Sequence, residues 1–136
     1  MFIIKTHIEK SPIDGFGVFS SVPVKKGETV WLFEPTFDRQ FTPEQVACFP
    51  ESARIHILKC GFLDKNKNIY YLGIDYDSFS NHSDNPNLTI DKKISCQFTD
   101  SLIASRDINP GEELTQNYYE YDEEQDIKNK FCIENI

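Results

Sequence analysis

Three short stretches hold the side chains of this chain that could do chemistry. "DSFSNHSDNPNL", residues 77–88, sets Asn81 and His82 among Ser83, Asp84, Asn85 and Asn87, all good turn formers. A connecting loop of Asx turns accounts for that composition, yet amides that become buried need partners, and a bound ligand can supply them. His82 makes a poor metal ligand, because no second histidine or cysteine lies at ligand spacing and His7 and His56 sit in unrelated segments. "RDINPGEELTQNYYEYD" ends in Tyr118, Tyr119 and Tyr121. Clustered tyrosines more often pack a core and its rim, and one becomes a catalytic candidate only where a cleft perturbs it. "IDGFGVF" brackets Phe16 with Gly15 and Gly17. Glycines so placed serve a tight turn, or let a ligand lie against bare backbone. The pair is not the longer G-x-G-x-x-G fingerprint and no strand–helix–strand unit surrounds it, which disfavours a dinucleotide fold.

Such residues act only if a scaffold brings them together, and 136 residues suffice for one domain with a real core. With 22 acidic against 14 basic side chains the net charge is −8, which weighs against nonspecific nucleic-acid binding. The same charge suits a basic partner, or only keeps the protein soluble. Cys48, Cys60, Cys96 and Cys132 lie far apart with no C-x-x-C pair. That spacing fits neither a zinc cluster nor a disulfide framework, so reduced, mostly buried thiols in a cytoplasmic or nuclear-type compartment are expected. The apolar start of "MFIIKTHIEKSP" is too short for a secretory signal and no stretch could span a bilayer, although a specialised export signal would not be visible this way.

The elements that must position the three stretches are mostly short strands. "FIIKTHIEK" alternates and is rich in β-branched residues; "DGFGVFSS" and "VKKGETVWLFE" each read as a turn entering a strand, the second turning at Gly27. Thr42, Pro43 and Gln45 form a capping box with proline at the first helical position. A second helical start at Pro50 carries Ala53, Ile55 and Leu58 on one face and stops at Gly61. "NIYYLGIDY", "LTIDKKISCQF" and "SLIASRDI" read as further strands around the "SNHSDNPNL" loop, and "NPGEE" as a turn before the strand leading to the tyrosines. Many short strands with one helical patch indicate a mainly β domain. The acidic "EYDEEQD" reads as a solvated surface or tail.

Taken in order, the stretches resemble the SET domain family of protein lysine methyltransferases. The family's early G-x-G with "kGe" beyond it, its "F-x-N-H-S-x-x-P-N" core and its "rdI-x-x-G-E-E-L-T-x-x-Y" close are matched by "DGFGVFSSVPVKKGE", "FSNHSDNPN" and "RDINPGEELTQNY". The resemblance implies a β-clip-like fold of several small sheets, a short helical insert, and a knot-like crossing in which the C-terminal segment threads the asparagine–histidine loop. It implies a SET domain over residues 1–121 and an acidic tail, 122–136, packing over the cofactor or substrate cleft. S-adenosylmethionine is the implied cofactor, its methionine end cradled by Asp14, Gly15, Phe16 and Gly17. Asn81 and His82 would contact it, Pro86 and Asn87 would fix the loop, and Tyr118 would be the catalytic tyrosine beside both cofactor and transferred methyl. Tyr76 and Tyr70 would line the lysine channel, though core packing explains them equally well.

Departures from the pattern matter here. Gln116 stands where the family often has phenylalanine or tyrosine, two residues before the catalytic tyrosine, a place that tunes how many methyls are added; a polar side chain there could hold a water or the amine itself. Ser78 replaces the arginine common before "F-x-N-H-S". Without the cysteine-rich zinc segment seen in many members, residues 119–131 or the second subunit of a homodimer would have to close the channel.

The implied reaction is in-line attack of a lysine ε-amine on a sulfonium methyl. Holding that amine neutral at pH 7 costs roughly 4–5 kcal/mol from a free pKa of about 10.4, and a narrow apolar channel ending in a cation disfavours ammonium by desolvation and by like charge. No dedicated base is then required. The implied substrate is a protein or peptide with an accessible lysine in a basic segment, bound extended by strand addition, with no nucleic acid or membrane involved. Two rivals stay open: an inactive SET-like scaffold, which Gln116 favours weakly, and a small β-rich domain binding an unrelated nucleotide.

Overall fold

The computed structural model describes residues 1–64, 67–91 and 101–120. Ten short strands among them form four small sheets. β1 (Thr6–Lys10) and β2 (Phe16–Ser20) make an antiparallel hairpin, Thr6 opposite Ser20 and Lys10 opposite Phe16. Its turn closes at Gly15, whose φ of +48° is the left-handed conformation that glycine adopts without a Cβ clash. β3 (Thr29–Leu32), β8 (Leu88–Ile90) and β9 (Ser101–Ala104) form an antiparallel sheet with β9 in the middle. β4 (Arg39–Phe41), β5 (Phe62–Asp64) and β6 (Ile69–Leu72) form another with β6 in the middle. β7 (Asn81–His82) pairs in parallel with β10 (Thr115–Gln116).

The main core gathers Val18, Val24, Val30, Trp31, Leu88, Leu102, Ala104, Ile108 and Leu114. These come from β2, the link between β2 and β3, β3, β8, β9 and the stretch before β10, so burial of their apolar area couples the segments that carry the three motifs. A smaller cluster of Val46, Ile57 and Leu72 seats the helical insert on the β4–β6–β5 sheet.

In the insert, α1 (Pro43–Cys48) starts as expected: Gln45 N–H donates to Thr42 Oγ1 at 3.2 Å, and Thr42 N–H to Gln45 Oε1 at 2.9 Å. α2 (Glu51–Cys60) follows Pro50 and ends at Gly61. The reason for the stop differs from the usual one. Gly61 has a φ of −93°, and a Cβ there would lie 2.6 Å from the Tyr71 carbonyl oxygen and 2.7 Å from that of Ile57, so close backbone approach requires the glycine. The buried side chain of α2 is Ile57, with Ile55 and Leu58 only half-buried; the sheet meets the face centred one residue from the expected one.

Other expectations are corrected too. β4 and β5 give no period-2 signal in three residues each, and both are held by β6 between them. The asparagine–histidine stretch, expected as loop, contributes β7, because its partner residues, Thr115 and Gln116, arrive from 34 positions away in the chain. Tyr70, expected in the lysine channel or in core packing, is half-buried and packs against the Val46–Ile57–Leu72 cluster. Cys48 is exposed and Cys60 half-buried, so the described cysteines are not the buried thiols expected. Cys96, Cys132, Tyr121, the second half of the "LTIDKKISCQF" strand and the 122–136 tail lie outside the described residues.

Candidate active site

One continuous stretch, "GEELTQ", stitches the motifs together. Its first half runs beside β2, with Gly111 N–H on Ser20 O at 2.7 Å, Ser20 N–H on Glu112 O at 3.0 Å and Leu114 N–H on Val18 O at 2.8 Å. Its second half is β10, paired with Asn81 and His82. The motif beginning β2 and the asparagine–histidine motif therefore share one backbone partner. The two glutamates take different roles. Glu112 closes the "NPGEE" turn, accepting from Asn109 N–H at 2.9 Å and from Arg106 at 2.7 Å, contacts that hold its carboxyl below the usual range. Glu113 turns to the site.

There the Glu113 carboxylate accepts from Ser11 Oγ at 2.8 and 2.9 Å and from Asn81 Nδ2 at 2.8 Å. It lies over Gly17, where a Cβ would come within 2.2 Å of its Oε1. Asn81 Nδ2 is also 3.1 Å from the carbonyl oxygen of Asp14 and 3.3 Å from that of Phe16. Three oxygen acceptors thus converge on a single amide nitrogen. Asp14, Gly15, Phe16, Gly17 and Asn81 are brought together as expected. The Phe16 ring is 59 % exposed at the edge of this arrangement. Sequence reasoning missed Glu113 and Ser11; the one available signal was that the second of two adjacent glutamates must face away from a turn built by the first.

The loop behind Asn81 is fastened by Asn87, which is 2 % exposed. Its Nδ2 donates to Glu113 O at 2.8 Å, and its Oδ1 accepts from Thr115 N–H at 2.9 Å. Ser105 Oγ donates to the Pro86 carbonyl at 2.9 Å. Pro86 and Asn87 do fix the loop, and the C-terminal crossing expected there is the parallel β7–β10 pair. His82 is committed within the protein: Nδ1 accepts from Tyr118 N–H at 3.2 Å, which leaves Nε2 protonated toward Asp84 Oδ1 at 3.1 Å. Only its backbone is left for a ligand.

Tyr118 opens a 3-10 helix, Tyr118–Glu120, and its hydroxyl donates to the carbonyl of Ser80, next to Asn81. Burial first, then the nearby Asp77 carboxylate, pushes the phenol well above its ordinary value, so it is a neutral donor at physiological pH. Tyr76, 46 % exposed on the 3-10 helix Tyr76–Phe79, sits at the surface of that turn. Gln116 is 5 % exposed and donates from Nε2 to Asp77 Oδ1 at 3.0 Å.

Burial, with the Asp75 charge adding to it, raises Asp77 to about 7, against the lowering effect of the Gln116 hydrogen bond. Folding therefore favours the protonated carboxyl. That contribution is fully present below the ordinary carboxylate range and is lost as pH rises through about 7. Thermal melts of wild type and Asp77→Asn should accordingly diverge on going from mildly acidic to mildly alkaline buffer, with the variant gaining. Parallel curves would show that Asp77 ionises alike in folded and unfolded chains.

A family model for the SET domain matches residues 15–119. The chain belongs to the SET domain family. A variant-silencing SET domain-containing protein of Plasmodium falciparum is 31 % identical over 123 residues, covering 86 % of this chain, which spans only 5 % of that relative's length. Among solved structures, a candidate histone methyltransferase of Plasmodium falciparum superposes with a TM-score of 0.56 at 24 % identity, over 85 % of this chain and 93 % of the other. Chaetomium thermophilum Polycomb Repressive Complex 2, in an autoinhibited conformation bound to S-adenosylmethionine, gives 0.65 at 16 % identity, over 96 % of this chain and 17 % of the other. These likenesses establish the mainly β, several-sheeted SET fold. At the level of the family, the activity is methyl transfer to protein lysine.

Proposed function

We propose that this chain transfers a methyl group from S-adenosylmethionine to the ε-amine of a protein lysine. The observation that carries the reading is the convergence of Asp14 O, Phe16 O and Glu113 Oε1 on Asn81 Nδ2, next to the residue whose carbonyl holds Tyr118. The residues fit the cofactor on two counts. The three oxygens form a set of acceptors suited to an ammonium such as the methionine end carries. A Cβ on Gly15 would meet nothing within 4 Å, so the turn leaves open space beside bare backbone. Asp14, Gly15, Phe16, Gly17, Asn81 and the His82 backbone would hold the cofactor, which when bound supplies an already activated methyl.

What remains for the protein is to orient, dry and neutralise the amine. Tyr118, a donor that stays neutral, orients; it is unsuited to proton abstraction. Tyr118 is half-buried and Gln116 buried, so an amine brought beside them would be desolvated, which disfavours ammonium. Near-attack alignment then contributes much of the acceleration. The net charge of −8 favours a protein or peptide substrate presenting its lysine in a basic segment.

Calorimetric titration with S-adenosylmethionine and with its demethylated product tests the reading. Micromolar binding of both, in the usual range for such ligands, is expected, and binding of neither by folded protein would favour a scaffold role instead. In the same assay Asn81→Ala should lose about 1–3 kcal/mol of cofactor affinity, since it removes an anchoring amide and leaves its acceptors unpaired. Unchanged affinity would make the loop purely structural.

A further inference from the structure

Asp77 lies three residues ahead of Ser80, the residue that receives the Tyr118 hydroxyl, and Gln116 lies two residues ahead of Tyr118 itself. Their side chains meet at 3.0 Å, Gln116 Nε2 donating to Asp77 Oδ1, across 39 residues of sequence. A carboxyl–amide pair thus borders the candidate tyrosine, its amide standing where the family pattern often has an aromatic ring. The Asp77 carboxylate is also seated against Gly73, where a Cβ would lie 3.0 Å from Asp77 Oδ2.

Its electrostatic surroundings are mainly acidic. Asp75, on the same turn, accepts Asp77 N–H at 3.1 Å, and Asp38 and the Met1 ammonium also act on it. The Met1 ammonium lies 2.8 Å from Asp38. β1 and β2 pack against the 3-10 helix carrying Asp77. β1 brings His7, Glu9 and Lys10, of which His7 and Glu9 pair with each other at 2.9 Å; β2 brings no charged side chain. From β10 comes neutral Gln116, followed by Tyr118 with its protonated phenol.

We propose that Asp77 is a positioning residue for the target amine, setting the orientation of the Gln116 amide beside Tyr118 when it is ionised and releasing that orientation when it is protonated. The proposal rests on the methyltransferase reading and extends it to this site's response to pH. An ionised carboxylate only accepts, so Gln116 must turn its NH2 toward it, the arrangement observed. A protonated carboxyl also donates, and the amide can then be held through its oxygen, turned over. Burial and the acidic neighbours bring this change to about pH 7, inside the range where an enzyme works. Amine positioning, and the number of methyls transferred, then depend on pH through a residue that never touches the methyl.

The test combines nuclear magnetic resonance with kinetics on the full chain. In nitrogen-15-labelled wild type, the Gln116 side-chain amide signals should titrate with a midpoint near 7, as Asp77 does, and should stop doing so in Asp77→Asn. With S-adenosylmethionine and an arginine-rich peptide carrying one lysine, log kcat/KM of wild type should rise with a slope of about two below the midpoint and about one above it, the second increment coming from the lysine itself. Asp77→Asn should show the single slope throughout, with a changed ratio of mono- to multiply methylated product. An amide that stays silent through neutrality in folded wild type overturns the proposal, and needs no variant to be seen. So does a break in slope that survives in Asp77→Asn. A titrating amide with no transfer to the peptide at any pH would overturn the transferase reading, and the proposal with it, whereas a silent amide alongside measurable transfer overturns the proposal alone.

Discussion

Tyr118→Phe is expected to lose turnover by on the order of 100-fold, the scale on which misplacing a reactant is felt, while S-adenosylmethionine affinity stays within a few-fold. The hydroxyl donates to the Ser80 carbonyl, and its pKa is driven upward by burial and by Asp77, so in the proposed reaction it contributes a fixed, neutral donor. Removing it should lower kcat and kcat/KM together, the signature of an interaction made in the transition state. It should leave untouched the Asn81–Glu113–Asp14 cluster proposed to hold the cofactor. Single-turnover kinetics alongside calorimetry separates the two. Unchanged turnover would remove Tyr118 from the mechanism; a parallel loss of cofactor affinity would make it a packing residue of the pocket.

Asn87→Ala is expected to give the largest loss of stability among the site's loop residues, about 2–4 kcal/mol, because it leaves a half-buried C=O and a buried N–H without partners at roughly 1–3 kcal/mol each. The partners are the Glu113 carbonyl and the Thr115 N–H, on the segment that joins β2 to β7. Against a total of about 5–15 kcal/mol such a loss is severe. It should appear as a lower urea midpoint at unchanged slope. Since Glu113 is displaced along with its backbone, cofactor binding should weaken too, even though Asn87 is buried behind the site. A midpoint shift worth less than about 0.5 kcal/mol, the size of an ordinary surface change, would mean that strand pairing alone holds the crossing.

The family was legible because its motifs combine residue types with order along the chain, and both are properties of sequence. The capping box at Thr42 and Gln45 was legible for a related reason: its partners are three residues apart, and local geometry alone brings them into contact. The turn glycines at 15, 27 and 111 likewise take the positive φ that only local chain reversal demands. β4, β5 and β7 escaped notice because strands of two or three residues carry no usable periodicity, and exist through neighbours that are distant in sequence.

By itself, then, the sequence determined the mainly β class, the helical insert and the order of the motifs, all of which follow from local propensity and patterning. Tertiary structure decided what those motifs do to one another. It turned Glu113 onto Ser11 and Asn81, committed both nitrogens of His82, packed Tyr70 beside the helical insert, and set Asp77 against Gln116. Apart from the short His82–Asp84 contact, these pairings join residues tens of positions apart, where no local preference acts. Their geometry is imposed by the shared burial of Val18, Leu88 and Leu114, which brings β2, β8 and the stretch entering β10 into one core.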